Sequence, residues 1–205
     1  GLDLEPLAPP LPRGSIRQEL GLPPDALLIG CVARLVPIKD HDTLLKAFAG
    51  LEDPRAHLLL AGDGPERATL EAKAGARVHF LGFRRDLREL YGDLDLAVLS
   101  SRNEGFPVAL IEALSAGVPV VATRVGGVPD LLQGHPGALM VEPGNPGALR
   151  TALQEALRDL KSLTNGAQER APAVRALYSR RRLLEDLGRE YGNLSPGSPR
   201  PRGRR

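Results

Sequence analysis

Leu27-Leu28-Ile29-Gly30-Cys31-Val32-Ala33 runs without a charge, and Arg34-Leu35-Val36-Pro37-Ile38-Lys39-Asp40 follows as a loop bearing two cations. His41 to Leu51 then repeats apolar residues at helical spacing. A short, wholly apolar run bounded by loop residues reads as a strand buried on both faces, and the strand-loop-helix order opens a β-α-β unit. The same alternation recurs along the chain. It predicts strands at Leu27 to Ala33, His57 to Ala61, Val78 to Leu81, Leu94 to Ser100, Val118 to Ala122 and Ala138 to Val141. Helices are predicted at about His41 to Leu51, Pro65 to Ala74, Asp86 to Tyr91, Pro107 to Ala116 and Pro146 to Leu160, then near Ala167 to Leu177 and Ser179 to Tyr191. The fold class implied is α/β, a doubly wound parallel sheet covered on both faces, with function at the C-terminal ends of its strands.

The chain has 205 residues, 42% of them hydrophobic, enough for one domain with a real core. Residues 1–24 are proline-rich and read as a linker leading into the fold, with a helical turn near Ser15 to Leu20. Residues 25–193 form the domain proper, and residues 194–205, made of Pro, Gly, Ser and Arg, read as a disordered basic tail. The formal charge of +2 rests on that tail: without Arg200, Arg202, Arg204 and Arg205 the body stands at −2. A near-neutral body with 3% aromatic residues excludes a broad nucleic-acid footprint. The lone Cys31 lies in an apolar run and reads as a core thiol in a reducing compartment. No run is long enough to span a membrane and no signal peptide is visible, so a cytoplasmic protein is expected.

Chemistry concentrates in Glu104-Gly105-Phe106-Pro107-Val108-Ala109-Leu110-Ile111-Glu112, between the fourth strand and the helix after it. Pro107 suits a first helical position, Gly105 allows close backbone approach, and the N–H groups that follow suit an anion or sugar oxygen. From Gly105 to Thr123 the only charge is Glu112, on an otherwise apolar helix. A carboxylate there needs a partner, either the two hydroxyls of a ribose or an internal group such as an arginine. Arg34 and Lys39 can together neutralise a diphosphate without a metal, or can be solvated loop residues beside a helix cap at Asp40 or Asp42. The turns at Gly62-Asp63-Gly64 and Gly126-Gly127 can form anion nests or serve as plain turns. Neither supplies the Gly-x-Gly-x-x-Gly of dinucleotide enzymes. Asp93-Leu94-Asp95 resembles a metal-binding pair but precedes its strand, and the histidines lack ligand spacing, so no metal site and no cofactor are expected.

In order along the chain, these pieces resemble family 4 of the retaining glycosyltransferases. The likeness is carried by Val32-Ala33-Arg34-Leu35-x-Pro37-x-Lys39, Ala61 to Arg67, Phe80-Leu81-Gly82, the stretch Glu104 to Glu112, Gly117 to Thr123, Gly126 to Asp130 and Pro143 to Pro146. Ala33 and Asp130 depart from the residues usual there. The resemblance implies the Rossmann-like, nucleotide-sugar-binding C-terminal half of a two-domain GT-B enzyme. It implies that Arg34 and Lys39 hold the diphosphate of the donor, that Glu112 takes the ribose hydroxyls and that Glu104 meets the sugar. Gly105, Phe106, Pro107 and Val108 would contact sugar and phosphate, while Gly82 and Phe83 border the base. Arg34, Lys39 and Glu104 are thus the expected catalytic set, with a UDP-, GDP- or ADP-linked sugar as substrate. Gly1-Leu2-Asp3 resembles the family's interdomain linker, which implies an absent N-terminal acceptor-binding domain upstream, through which any peripheral membrane contact would run. A stand-alone, non-catalytic nucleotide-sugar-binding module and a GT-B-like epimerase are the alternatives.

Overall fold

The computed structural model describes residues 1–193, so the reading of 194–205 as a disordered tail lies outside the described residues. Six strands, β1 (Leu27–Val32), β2 (Ala56–Ala61), β3 (Val78–Gly82), β4 (Leu96–Leu99), β5 (Val120–Thr123) and β6 (Ala138–Val141), form one wholly parallel sheet in the order β3-β2-β1-β4-β5-β6. Successive residues of a strand face opposite ways, so a sheet covered on both sides demands apolar residues at every position. Leu28 and Leu59 accordingly enter one core, whereas Ile29, Leu58 and Leu60 enter the other. Cys31 lies in the second core, where burial pushes its thiol up to about 12 and keeps it protonated.

The helices are α1 (Ser15–Glu19), α2 (His41–Ala49), α3 (Arg67–Glu71), α4 (Leu87–Asp93), α5 (Val108–Ser115), α6 (Val128–Leu132), α7 (Pro146–Arg158), α8 (Leu160–Tyr178) and α9 (Arg180–Asn193). α2 and α7 cover one face of the sheet through Leu44, Phe48, Leu149 and Leu153. α4, α5 and α6 cover the other through Leu90, Tyr91, Leu110, Ile111 and Val128. The fully buried leucines among these each contribute about 1.5–3 kcal/mol by leaving water. Among the described residues, no helix is long and apolar enough to cross a membrane.

Three elements differ from the sequence expectation, the first being α3, which spans only Arg67–Glu71 of the expected Pro65 to Ala74. α6 falls where only a glycine turn is predicted, because a single buried turn holding Val128 and Leu132 is too short to show helical periodicity. α8 begins at Leu160 rather than Ala167. Its Ser, Thr, Asn and Gly residues are poor helix formers, but Gly166 packs against Pro136 closely enough that a Cβ would meet it at 2.8 Å, and tertiary packing overrides propensity.

The leading segment, 1–24, is packed. Leu4, Leu7 and Ile16 are buried in the core, and Leu2 donates its N–H to the Tyr178 carbonyl while accepting from the Arg180 N–H. The Arg17 guanidinium is buried against Asp93, and it reaches Asp95 at 2.5 Å and the Ala26 carbonyl at 2.8 Å. Asp93 also accepts from the Gly14 and Arg17 amides at 2.8 and 2.9 Å. Burial alone would raise the Asp93 pKa, but these donors and the arginine charge hold it below the usual range.

Candidate functional site: a cleft where the sheet reverses direction

The strand order reverses between β1 and β4, so the loops leaving their C-terminal ends turn apart and open a crevice. Here that crevice is a cleft of about 320 Å³, lined by Arg34 and Lys39 after β1 and by Glu104, Pro107 and Glu112 after β4. Residues distant in sequence thus meet because both loops leave the sheet at its switch point. The loops are stitched together: Ser100 Oγ donates to the Lys39 carbonyl at 2.9 Å, and the Arg102 N–H donates to the Ile38 carbonyl at 2.8 Å.

Behind Lys39, a 3₁₀ turn at Pro37–Lys39 leads into Asp40, which adopts φ 51° at the N-cap of α2. The Asp40 side chain does not cap the helix backbone. It accepts instead from Thr43 Oγ1 and Arg102 Nε, both at 2.9 Å. His41 next to it is buried, and burial together with the Lys39 charge pushes its pKa down to about 4 against the pull of Asp40. It is therefore neutral at ordinary pH and adds no charge behind the cleft.

Arg34 is exposed at the cleft and has no ion-pair partner among the described residues. Lys39 forms an ion pair with Glu104 Oε2, which also accepts from Ser101 Oγ at 3.2 Å. Glu112 accepts on Oε2 from the Tyr91 hydroxyl at 3.0 Å, and Oε1 has no partner among the described residues. Burial raises the Glu112 carboxyl above the ordinary range, and the Tyr91 hydrogen bond brings it part of the way back. The internal partner of Glu112 is thus a tyrosine hydroxyl, and one of its oxygens remains open at the cleft.

The loop after β4 is held by the loop after β5. The Gly127 N–H donates to the Glu104 carbonyl at 2.9 Å, and Gly126 has φ 49° with its Cα pressed against the same peptide, where a Cβ would lie 1.9 Å from the Glu104 carbonyl. Only glycine fits there. Pro107 stands at the N-cap of α5 rather than at its first helical position, and the Val108 N–H turns back onto the Phe106 carbonyl at 2.9 Å. Of the backbone donors in this stretch, those of Gly105, Phe106 and Ala109 have no acceptor among the described residues, whereas that of Val108 is used internally.

The structure therefore brings Arg34, Lys39, Glu104, Phe106, Pro107, Val108 and Glu112 together around one cleft. Gly105, exposed, joins Glu104 to Phe106. Gly82 and Phe83 do not line the cleft. They end β3, two strands away from β1, with the Phe83 ring 74% exposed and Arg85 lying 6.0 Å above it. Tyr91 and Ser101 are contacts that sequence reasoning missed. Neither carries a local signal, since each acts through a side chain contributed by another part of the fold.

A crevice at the switch point of a doubly wound sheet, furnished with cations and carboxylates, is the usual ligand site of α/β domains of this class. The family described as glycosyl transferases group 1 matches residues 26–159, and the chain belongs to that family. It is 32% identical over 218 aligned residues to D-inositol 3-phosphate glycosyltransferase of Corynebacterium jeikeium, covering 98% of this chain and 52% of the relative. The structure resembles that of Anabaena HepE in complex with UDP at TM-score 0.85 and 24% identity, covering 94% of this chain and 56% of HepE. It also resembles the C-terminal domain of the group 1 glycosyl transferase LpcC of Francisella tularensis at TM-score 0.72 and 24% identity, covering 88% of this chain and 100% of that domain. The chain spans about half the length of the full-length relatives.

Proposed function

We propose that this chain supplies the donor-binding wall of a retaining, metal-independent glycosyltransferase, which moves a hexosyl group from a nucleoside-diphosphate sugar to an acceptor held by a second domain. The observation that carries the reading is the convergence of Arg34, Lys39, Glu104 and Glu112 on one cleft at the switch point.

A nucleoside-diphosphate sugar presents a vicinal diol, two linked phosphates and a second ring of hydroxyls, in that order. The open oxygen of Glu112 matches the diol. Arg34 offers a forked guanidinium and Lys39 a mobile ammonium for the phosphates, and the Phe106 and Ala109 amides at the start of α5 add donors. Glu104 accepts from the transferred sugar and so orients its anomeric carbon. As the bond from that carbon to phosphate breaks, negative charge grows on the departing diphosphate, and cations already in place stabilise it without reorganising. Glu104 and Glu112 are not read as a glycosidase pair, because both come from the single loop-and-helix segment after β4, whereas glycosidase carboxylates flank the scissile bond from opposing walls. The acceptor comes from the other wall. UDP is the first nucleotide to test, since HepE was solved with it.

Calorimetric titration of the chain with UDP, GDP and ADP, repeated on Glu112→Ala and Arg34→Ala, tests the reading. One nucleoside diphosphate should bind the parent, and each variant should bind it more weakly. Absence of binding at millimolar nucleotide, or parental affinity in both variants, would refute it.

A further inference from the structure

We infer that Tyr91 is a positioning residue for the donor ribose: its buried hydroxyl fixes Glu112 in the orientation that accepts the ribose diol. This rests on the donor-cleft reading above. Tyr91 is 1% exposed and lies on α4, outside every stretch that lines the cleft, yet its hydroxyl stands 3.0 Å from Glu112 Oε2 and 3.2 Å from the Ala109 carbonyl. A phenol has one proton to give, and a carboxylate is the stronger acceptor of the two.

Three consequences follow from that contact. First, the bond ties down one carboxylate oxygen, which sets the side-chain torsions and leaves Oε1 directed away from Tyr91. A half-buried carboxylate at the cleft otherwise samples several rotamers, and a diol that needs two aligned acceptor sites would have to select one of them. Second, Tyr91 is a dependable donor. Burial first, and the Glu112 carboxylate second, push its hydroxyl well above the ordinary phenol range, so it stays protonated wherever Glu112 is charged. Third, the bond opposes the desolvation that raises the Glu112 carboxyl. Only the ionised carboxylate accepts from both ribose hydroxyls, so donor binding weakens as pH falls through the Glu112 pKa. Without the tyrosine hydroxyl that pKa is higher, and the loss begins at higher pH.

The test uses Tyr91→Phe, which keeps the buried ring and removes one oxygen. The ligands are whichever of UDP, GDP and ADP binds the parent, and its 2′,3′-dideoxy analogue, which lacks the diol. Losing a hydrogen bond to a charged group should weaken the ordinary nucleotide roughly ten-fold. The dideoxy analogue should bind parent and variant alike, and the acid limb of the binding profile should move to higher pH in the variant. Equal loss for both nucleotides, no loss for either, or an unmoved acid limb overturns the inference. A double-mutant cycle guards against a folding artefact: in a Glu112→Ala background the Tyr91→Phe change should have no further effect on nucleotide affinity, and an additive effect overturns the proposal. If Glu112→Ala alone binds like the parent, the ribose assignment itself fails, and that outcome is separate from a failure of Tyr91 alone.

Discussion

At the N-terminal end of β4, Asp93 and Asp95 are closed into a network with Arg17, whereas at its C-terminal end Glu104 and Glu112 face a cleft beside Arg34 and Lys39. The residue types are nearly the same. The accounting differs: Asp93 is fully buried with its oxygens occupied by amides and a guanidinium, while Arg34 has no ion-pair partner among the described residues and Glu112 keeps one oxygen open. A closed network holds the leading segment against the sheet. An open one is poised for an outside partner, and its raised Glu112 pKa marks a stability sacrificed for binding.

Changes at the closed end should strike stability. Asp93→Ala leaves the buried Arg17 charge under-partnered and should cost about 3 kcal/mol, read by chemical denaturation. A lowered carboxyl pKa contributes stability that is full above the unfolded value, about pH 4, and is lost as pH falls through the folded value. The parent should therefore lose more stability than Asp93→Ala on acidification below pH 4. Equal acid sensitivity would remove Asp93 from the closed network.

Changes at the open end should strike function and leave melting intact. On the proposed donor-binding reading, Arg34→Ala should weaken nucleoside-diphosphate binding by roughly 1.5–3 kcal/mol, measured by calorimetric titration, with an unchanged Tm. Glu112→Gln should weaken nucleotide binding by about 1.5 kcal/mol. Its Tm near neutral pH should equal or exceed the parent's, because a raised carboxyl pKa is a destabilising charge above that pKa. A clear drop in Tm would make Glu112 structural. The smallest effect is expected from Glu104→Gln. Releasing Lys39 from its ion pair should strengthen binding of the bare nucleoside diphosphate by about 0.5 kcal/mol while weakening the sugar-linked form, a split visible by titrating both.

The strands were legible because each needs apolar residues on two faces, and the observed strand limits differ from the expected ones by only one or two positions at either end. The order of the sheet was not legible, because right-handed β-α-β crossovers restrict the topologies without saying which strands become neighbours. What the sequence hid is non-local. Arg17 reads as an ordinary linker cation until Asp93 is folded against it, and Tyr91 reads as a core aromatic until α5 brings Glu112 to its hydroxyl. The Lys39–Glu104 pair was hidden for the same reason: each was read towards a ligand, and their nearness to each other depends on β1 and β4 being neighbours. Phe83 stands exposed just beyond β3, outside the cleft lining, and its expected place beside the base is tested only by nucleotide binding.

The contact of Gly126 and Gly127 with the peptide of Glu104 and Gly105 makes two loops from different strands a single mechanical cassette. On the proposed donor reading, altering Glu104 alone to suit another sugar would leave its backbone pinned in the old place. Exchanging the segments around Glu104 and Gly126 together would move the carboxylate as a unit.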